Sequence, residues 1–338
     1  MRLLIDLQHP AHLHFFRNLT LKLRGEGHEV LVTGRHKDIL MELAEGLGFP
    51  VDAFGEARPG VLNLGLELFY RQAVLLDKVR RFKPDAMMAI AGTFVAAVGA
   101  VTRTPTYVFY DTEHATVSNL LAYPFATCVY VPRAYLKPIH WRHQRYDGYH
   151  ELAYLHPDFF QPDASVLEEA GLKRGERFAL VRFVGWSAGH DIGHQGLTLE
   201  QKRRAVEALS KKARVLISAE GPLPADLQEM RLQCPVARIH HLMSFASLVF
   251  GESGTMPSEA SVLGVPSVYI NPLRLGYLEE QERQYSLVSN HRPAQFREAL
   301  ERGVRVLEEG ESEKWKQMGR RLIADKVNVT EMLHRIAL

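Results

Sequence analysis

Three groups of residues carry side chains suited to chemistry. The first is Ser253-Gly254-Thr255 with Glu259. It follows an apolar run, Ser247-Leu248-Val249-Phe250, that reads as the end of a buried strand, and it precedes helix-compatible residues up to Leu263. At such a strand–turn–helix junction the helix start presents unpaired backbone N–H groups and positive partial charge, a setting for phosphate. Gly254 permits close approach, and the Ser253 and Thr255 hydroxyls can bond phosphate oxygens. Glu259, about one helical turn further on, can hold a ribose diol. The same residues also read as an ordinary helix cap, and the pattern alone leaves both readings open. The second group is His9, His12 and His14 after the first strand, with Asp111, Glu113 and His114 after the fifth. Imidazoles and carboxylates at strand ends are the usual carriers of general acid–base chemistry, although each His also reads as a cap or a loop hydrogen bond. The third is the loop from Gly185 to Gly196, whose Ser187, Gly189 and His190 could help a departing anion. No fixed spacing of His or Cys ligands is present, so no metal site is expected.

The elements that must position these residues are legible as alternation. The chain has 338 residues, enough for two domains at roughly 100–200 residues each. Hydrophobic residues make up 46% and charged residues 24%, an ordinary globular composition. A formal net charge of +2 argues against nucleic acid as a partner held by overall charge. Cys128 and Cys234 are expected as free thiols in a reducing cytoplasm. The start of the chain carries no signal-peptide pattern, and the longest apolar stretch, Ala86 to Val101, falls short of the roughly 20 residues a spanning helix needs.

Short apolar runs read as strands at Arg2 to Leu7, His28 to Gly34, Pro50 to Phe54, Asp85 to Ile90, Pro105 to Tyr110 and Ala126 to Pro132. In the second half they fall at Arg177 to Phe183, Ala213 to Ser218, Val236 to Ile239, the run into Phe250, and Val265 to Ile270. Helical periodicity lies between them. The expectation is an α/β protein with two doubly wound, Rossmann-like parallel sheets, their carboxyl strand ends facing a central cleft. The expected division is 1–150, 151–320 and a C-terminal helix, 321–338, able to pack back on the first domain. Gln8 to His14 reads as a loop, and Glu313 to Leu338 as helical throughout. Arg133 to Asp147 reads as a solvated basic connection. A sharper alternative is peripheral membrane or acidic-acceptor contact through 133–145.

These residues resemble a known family. The early Gly25-Glu26-Gly27-His28-Glu29-Val30 and the later Ser253-Gly254, Glu259-Ala260 and Leu263-Gly264-Val265-Pro266 are similar to GT-B-fold nucleotide-sugar enzymes. Among them the non-hydrolysing UDP-N-acetylglucosamine 2-epimerases carry Asp-Ser-Gly-Gly-x-x-Glu-Glu-Ala where this chain has Glu252-Ser253-Gly254-Thr255-Met256-Pro257-Ser258-Glu259-Ala260. The resemblance implies that Ser253, Gly254 and the Thr255 amide hold a diphosphate and that Glu259 holds the ribose. It also implies that Glu113 and His190 match a functional glutamate and histidine. The chain departs from the pattern at His9-Pro10-Ala11-His12, at Thr255 and Ser258, and in lacking an Arg-Arg-Glu-Asn tail after His190. It is also similar to a bacterial and archaeal family of unknown function that opens His-Pro-x-His-x-His-Phe-Phe.

The resulting expectation is a metal-independent glycosyltransferase with a nucleotide-diphosphate sugar, uridine-linked, as co-substrate and no separate cofactor. It would act in glycan or cell-surface polysaccharide biosynthesis on a glycan or lipid-linked acceptor, in the cytoplasm or at the inner membrane face. Asp111 or Glu113, paired with His12 or His114, would take the acceptor proton. Ser187, Gly189 and His190 would assist the leaving group. A sugar-nucleotide epimerase or hydrolase, and a non-catalytic nucleotide-sugar binding protein, are the alternatives.

Overall fold

The computed structural model describes residues 1–36, 38–56, 61–113, 120, 122–138, 142–184, 196–219 and 221–338. The chain divides into two compact units, Met1–Phe159 with Val327–Leu338, and Phe160–Lys326.

The first unit runs β1 (Arg2–Leu7), α1 (Pro10–Gly25), β2 (Glu29–His36), α2 (Asp38–Gly46), β3 (Asp52–Glu56), α3 (Val61–Phe82), β4 (Ala86–Ile90), α4 (Val95–Thr102), β5 (Thr106–Phe109), β6 (Cys128–Pro132) and β7 (His143–Tyr146). The strands form one sheet in the order β3-β2-β1-β4-β5-β6-β7, every pair parallel. In β1 Leu3, Leu4, Ile5 and Leu7 are all buried, as expected of a strand covered on both faces. Leu4, Met87 and Ala89 pack against Phe54, Leu75, Val79 and Val98 in one core cluster. Val108, Val129 and Val131 pack with Ala122, Ala126 and Tyr135 in another.

One polar group interrupts β1. Asp6 is fully buried. Its Oδ1 accepts from Thr33 Oγ1 at 2.9 Å on the neighbouring strand and lies 3.2 Å from Nη2 of the equally buried Arg71 on α3. The guanidinium is itself sandwiched near the Phe54 and Phe94 rings. A buried charge survives only when paired in this way.

The second unit runs α5 (Val166–Glu169), β8 (Phe178–Phe183), α6 (Leu199–Ser210), β9 (Arg214–Ala219), α7 (Ile239–Met243), β10 (Leu248–Gly251), α8 (Thr255–Val262), β11 (Ser267–Ile270), α9 (Gly276–Tyr285), β12 (Val288–His291), α10 (Phe296–Glu309) and α11 (Ser312–Asp325). Its sheet has the order β12-β11-β10-β8-β9, again parallel throughout. Phe178, Leu180, Leu216 and Val249 meet Leu242, Met243, Met256 and Ala260 in its core. The last helix, α12 (Val329–Ala337), returns to the first unit. There Lys22 on α1 bonds both Glu331 carboxylate oxygens at 2.7 and 2.8 Å, and His334 Nε2 lies 2.6 Å from Glu26 Oε2.

Four local expectations are corrected. Gln8 to His14 is not a loop: α1 already begins at Pro10, which sits at the helix start while the His9 ring accepts from the Ala11 N–H at 3.2 Å. Proline is preorganised for that position. The Val236–Ile239 segment is not a strand. It forms a 3-10 turn, Val236–Arg238, continuing into α7, and the fifth strand of that sheet is β12. Arg133–Asp147 is not wholly a solvated connection. Its end is β7, with His143 and Tyr146 buried. The basic groups there serve the fold: Arg142 donates to the Pro124 and Ala126 carbonyls, and Arg145 to those of Arg133, Tyr135 and Lys137. The last helical stretch is broken between Asp325 and Val329, where Asn328 Oδ1 caps α12 by accepting from the Glu331 N–H at 3.2 Å. Among the described residues no helix is long and apolar enough to cross a membrane.

Candidate functional site

In the second unit the strand order reverses between β8 and β10. The carboxyl end of a parallel sheet at such a switch point is where ligands bind, and β10 ends there in Gly251-Glu252-Ser253-Gly254. Gly251 lies at φ +155°, and a Cβ there would overlap the Arg182 carbonyl oxygen of β8. Only glycine lets the strand end this close to its neighbour. Glu252 is buried and acts as a clamp. Its carboxylate accepts from the N–H groups of Leu197 at 2.6 Å and Val184 at 3.2 Å, and lies 3.1 Å from Lys202 Nζ.

Gly254 is the N-cap of α8, and no side chain caps that helix. Of the four amides that a helix start leaves unpaired, Pro257 lacks an N–H, so Gly254, Thr255 and Met256 carry the remaining donors. Among the described residues neither the Ser253 nor the Thr255 hydroxyl makes a hydrogen bond, and Ser253, Gly254 and Thr255 are all half-buried. A Cβ on Gly254 would lie 2.6 Å from Leu275 Cδ1 and 3.3 Å from the Tyr277 hydroxyl. The result is a half-open cradle of N–H and hydroxyl donors at the positive end of a helix, able to bind an oxyanion. Glu259 stands deeper. It is buried, with Oε1 2.8 Å from Nε2 of the buried His240 on α7. Ser187, Gly189 and His190 lie outside the described residues.

In the first unit Asp111 follows the end of β5. Its Oδ2 is 3.1 Å from Nδ1 of His150, and its Oδ1 accepts from the Thr112 hydroxyl at 2.8 Å. His150 sits in a 3-10 turn, His150–Ala153, that leaves β7. The Phe15 ring lies 4.5 Å from its own, and the Tyr146 ring runs nearly parallel to it at 6.4 Å. Burial alone would push the His150 imidazole toward the neutral form, but the Asp111 charge and hydrogen bond outweigh it and raise its pKa. Burial would likewise raise the Asp111 carboxyl, and the His150 charge reverses this, holding it below its ordinary value with a smaller contribution from His12. The pair is thus an ion pair around neutrality's acid side. His150 Nε2 and the Tyr146 hydroxyl are buried with no hydrogen-bond partner among the described residues.

His12 lies in the first turn of α1, where its Nδ1 accepts from the Gln8 N–H at 3.3 Å. That bond leaves the proton of a neutral ring on Nε2. Glu113 is buried and turned to the fold, accepting from the Leu136 N–H at 3.1 Å. His14 stacks on Tyr154 at 5.1 Å. His114 lies outside the described residues. The structure therefore brings Asp111, His12 and His150 together. His150 was missed in the sequence, because Gly148-Tyr149-His150-Glu151 has no periodicity. It lies just beyond β7, at the end of a stretch that reads in the sequence as a solvated connection. Among the described residues no cluster of His, Cys, Asp and Glu could hold a metal ion.

Comparisons with known proteins agree with this architecture. The model of a family described as Protein of unknown function (DUF354) matches residues 1–335. An uncharacterized protein of Methanocaldococcus jannaschii is 24% identical over 298 residues, 82% of this chain and 85% of the relative. Among solved structures, UDP-GlcNAc 2-epimerase from Neisseria meningitidis bound to UDP-GlcNAc superposes with a TM-score of 0.69 at 12% identity, covering 99% of each chain. Spinosyn rhamnosyltransferase complexed with thymidine diphosphate superposes with a TM-score of 0.65 at 13% identity, covering 99% of this chain and 100% of the other. At such identities the likeness is one of fold, and the fold is that of the GT-B nucleotide-sugar enzymes.

Proposed function

We propose, for this chain, which belongs to the Protein of unknown function (DUF354) family, a glycosyltransferase activity with a nucleotide-diphosphate sugar, uridine-linked, as donor. The single observation that carries the reading is the uncapped start of α8, where three amides and two hydroxyls have no partner among the described residues. A leaving nucleoside diphosphate develops negative charge, and preorganised N–H donors stabilise it most where charge develops. The reading assigns the diphosphate to Ser253, Gly254 and Thr255 and needs no metal or separate cofactor. It assigns the acceptor proton to Asp111, backed by His150, with the Nε2–H of His12 as a neighbouring donor. In that step the acceptor oxygen bonds the anomeric carbon, its proton passes to the Asp111 carboxylate, and the bond from that carbon to the diphosphate oxygen breaks. Ser187, Gly189 and His190 keep the roles of assisting donors, and His114 that of a further base. An acceptor of glycan or lipid-linked type, a place in polysaccharide assembly and a cytoplasmic setting at or near the inner membrane belong to the same reading.

An epimerase of sugar nucleotides is the second reading. It is favoured by the Asp111–His150 pair, which can hold a proton while a sugar bond is remade. Thermal shift with UDP, UDP-glucose and UDP-N-acetylglucosamine tests the nucleotide site: stabilisation by all three is expected. Ser253→Ala should weaken UDP binding roughly tenfold or more, the cost of a hydrogen bond to a charged group, about 1.5–3 kcal/mol. No shift with any of them overturns the reading. UDP-N-acetylglucosamine incubated without acceptor should remain unchanged, whereas an epimeric product would favour the second reading.

A further inference from the structure

The strand end that leads into the α8 cradle is fixed through one residue. Glu252 donates its N–H to the Arg182 carbonyl of β8 at 2.9 Å, and its own carbonyl accepts from the Asn271 side-chain amide, just past β11, at 2.8 Å. Its carboxylate takes the N–H groups of Val184, past β8, and of Leu197, ahead of α6. A Cβ on Gly196 would stand 2.3 Å from Glu252 Oε1, so glycine there leaves room for that carboxylate. Three strand ends and the approach to a helix thus meet on the residue that directly precedes Ser253.

The same carboxylate is a liability for an anion site. Its negative charge comes next in sequence to the donors that would receive a diphosphate, and like charges repel. Lys202 on α6 answers it. Its Nζ lies 3.1 Å from Glu252 Oε2, donates to the Val184 carbonyl at 3.2 Å and stands 5.4 Å from the centre of the Phe183 ring. Lys202 and Glu252 are only 3% and 4% exposed, so salt and water screen the pair little. Stability alone does not call for this arrangement, because a buried ion pair holds a fold no better than apolar residues of the same volume.

We infer that Lys202 is a positioning residue for the donor diphosphate, acting through Glu252. It cancels the charge of the clamp, so that a carboxylate can fix the strand end and the cradle can still receive an anion. The inference rests on the nucleotide reading of the α8 cradle. Titration calorimetry of the full chain with UDP tests it on Lys202→Met and on the Lys202→Met, Glu252→Gln double variant. Lys202→Met keeps the charge of the clamp and removes its partner, and should weaken UDP binding roughly tenfold, about 1.4 kcal/mol. The double variant carries neither charge and should return to within about threefold of the wild type, although it lacks both groups. If Lys202→Met does not fold, Lys202→Gln, whose amide can still donate to the Val184 carbonyl, removes the same charge and carries the same expectation. A merely structural pair behaves otherwise: the lysine variant melts lower but binds UDP as the wild type does, or the double variant binds no better than the single. Either result overturns the inference and leaves the nucleotide site standing. If the wild type itself does not bind UDP, the nucleotide reading fails and this inference with it.

Discussion

Asp111 keeps about a fifth of its side chain in solvent, 21%, while His150 behind it keeps 8%. In the familiar serine-hydrolase arrangement the imidazole faces the substrate and the carboxylate is buried behind it; here the order is reversed. A carboxylate backed by a buried imidazolium stays ionised and oriented, ready to accept a hydroxyl proton only as that hydroxyl becomes acidic in the transition state. Asp111→Asn should therefore lower donor turnover by roughly 10²–10⁴-fold, the range of positioned acid–base groups, with UDP affinity unchanged in calorimetry. The pair also makes stability depend on pH. His150, whose pKa is raised in the fold, contributes fully below its unfolded value of about 6.5 and loses that contribution as pH rises through the higher folded value. Asp111, lowered in the fold, contributes above about 3.9 and loses it as pH falls through its own folded value. Urea unfolding of the wild type, compared with His150→Gln, should show the largest difference between about pH 4 and 6.5, shrinking on both sides. A difference constant from pH 4 to 9 would refute the ion pair. Asp111 was legible because an acidic residue at a strand end is conspicuous. His150 was not, because only the register of β7 against β6 brings it underneath.

At the level of elements, the hydrophobic runs marked most strands because each is buried on both faces and needs no alternation. They misled at Val236–Ile239, where Pro235 opens a tight turn, and the Val288–His291 strand escaped because three of its four residues are polar. The start of α8 was legible as a motif, but its lack of a side-chain cap was not, since Ser253 could equally have filled that role. Arg71 reads in the sequence as one more basic residue on an amphipathic helix. Only the pairing of Asp6 with Thr33 across β1 and β2 and the placement of α3 over them make it the counter-charge of a buried carboxylate. Removing one partner of such a pair is costly, whereas removing both need not be. Arg71→Leu should lower unfolding free energy by about 3–5 kcal/mol, and adding Asp6→Leu should recover much of the loss in urea denaturation. A double variant as unstable as the sum of the two singles would contradict the pairing.

For the whole molecule, the two-sheet plan followed from alternating runs and helices, and the likeness in fold to the GT-B structures agrees with it. Where the chain changes unit was harder to read. The crossings fall at Phe159/Phe160 and at Lys326/Val327, and neither carries a Gly- or Ser-rich linker that would have announced it. Short polar stretches with a capping Asn328 do that work instead. The outcome is that one unit is contiguous and the other is not, because α12 supplies the first unit with its Lys22–Glu331 and Glu26–His334 pairs. Lys22 and Glu331 are 309 residues apart, so covering this face of α1 means closing a loop that contains the whole second unit, an entropic cost that grows only slowly with loop length. An insertion in a loop of the second unit should therefore leave the stability of the first almost unchanged, whereas removing the Lys22–Glu331 contact should not.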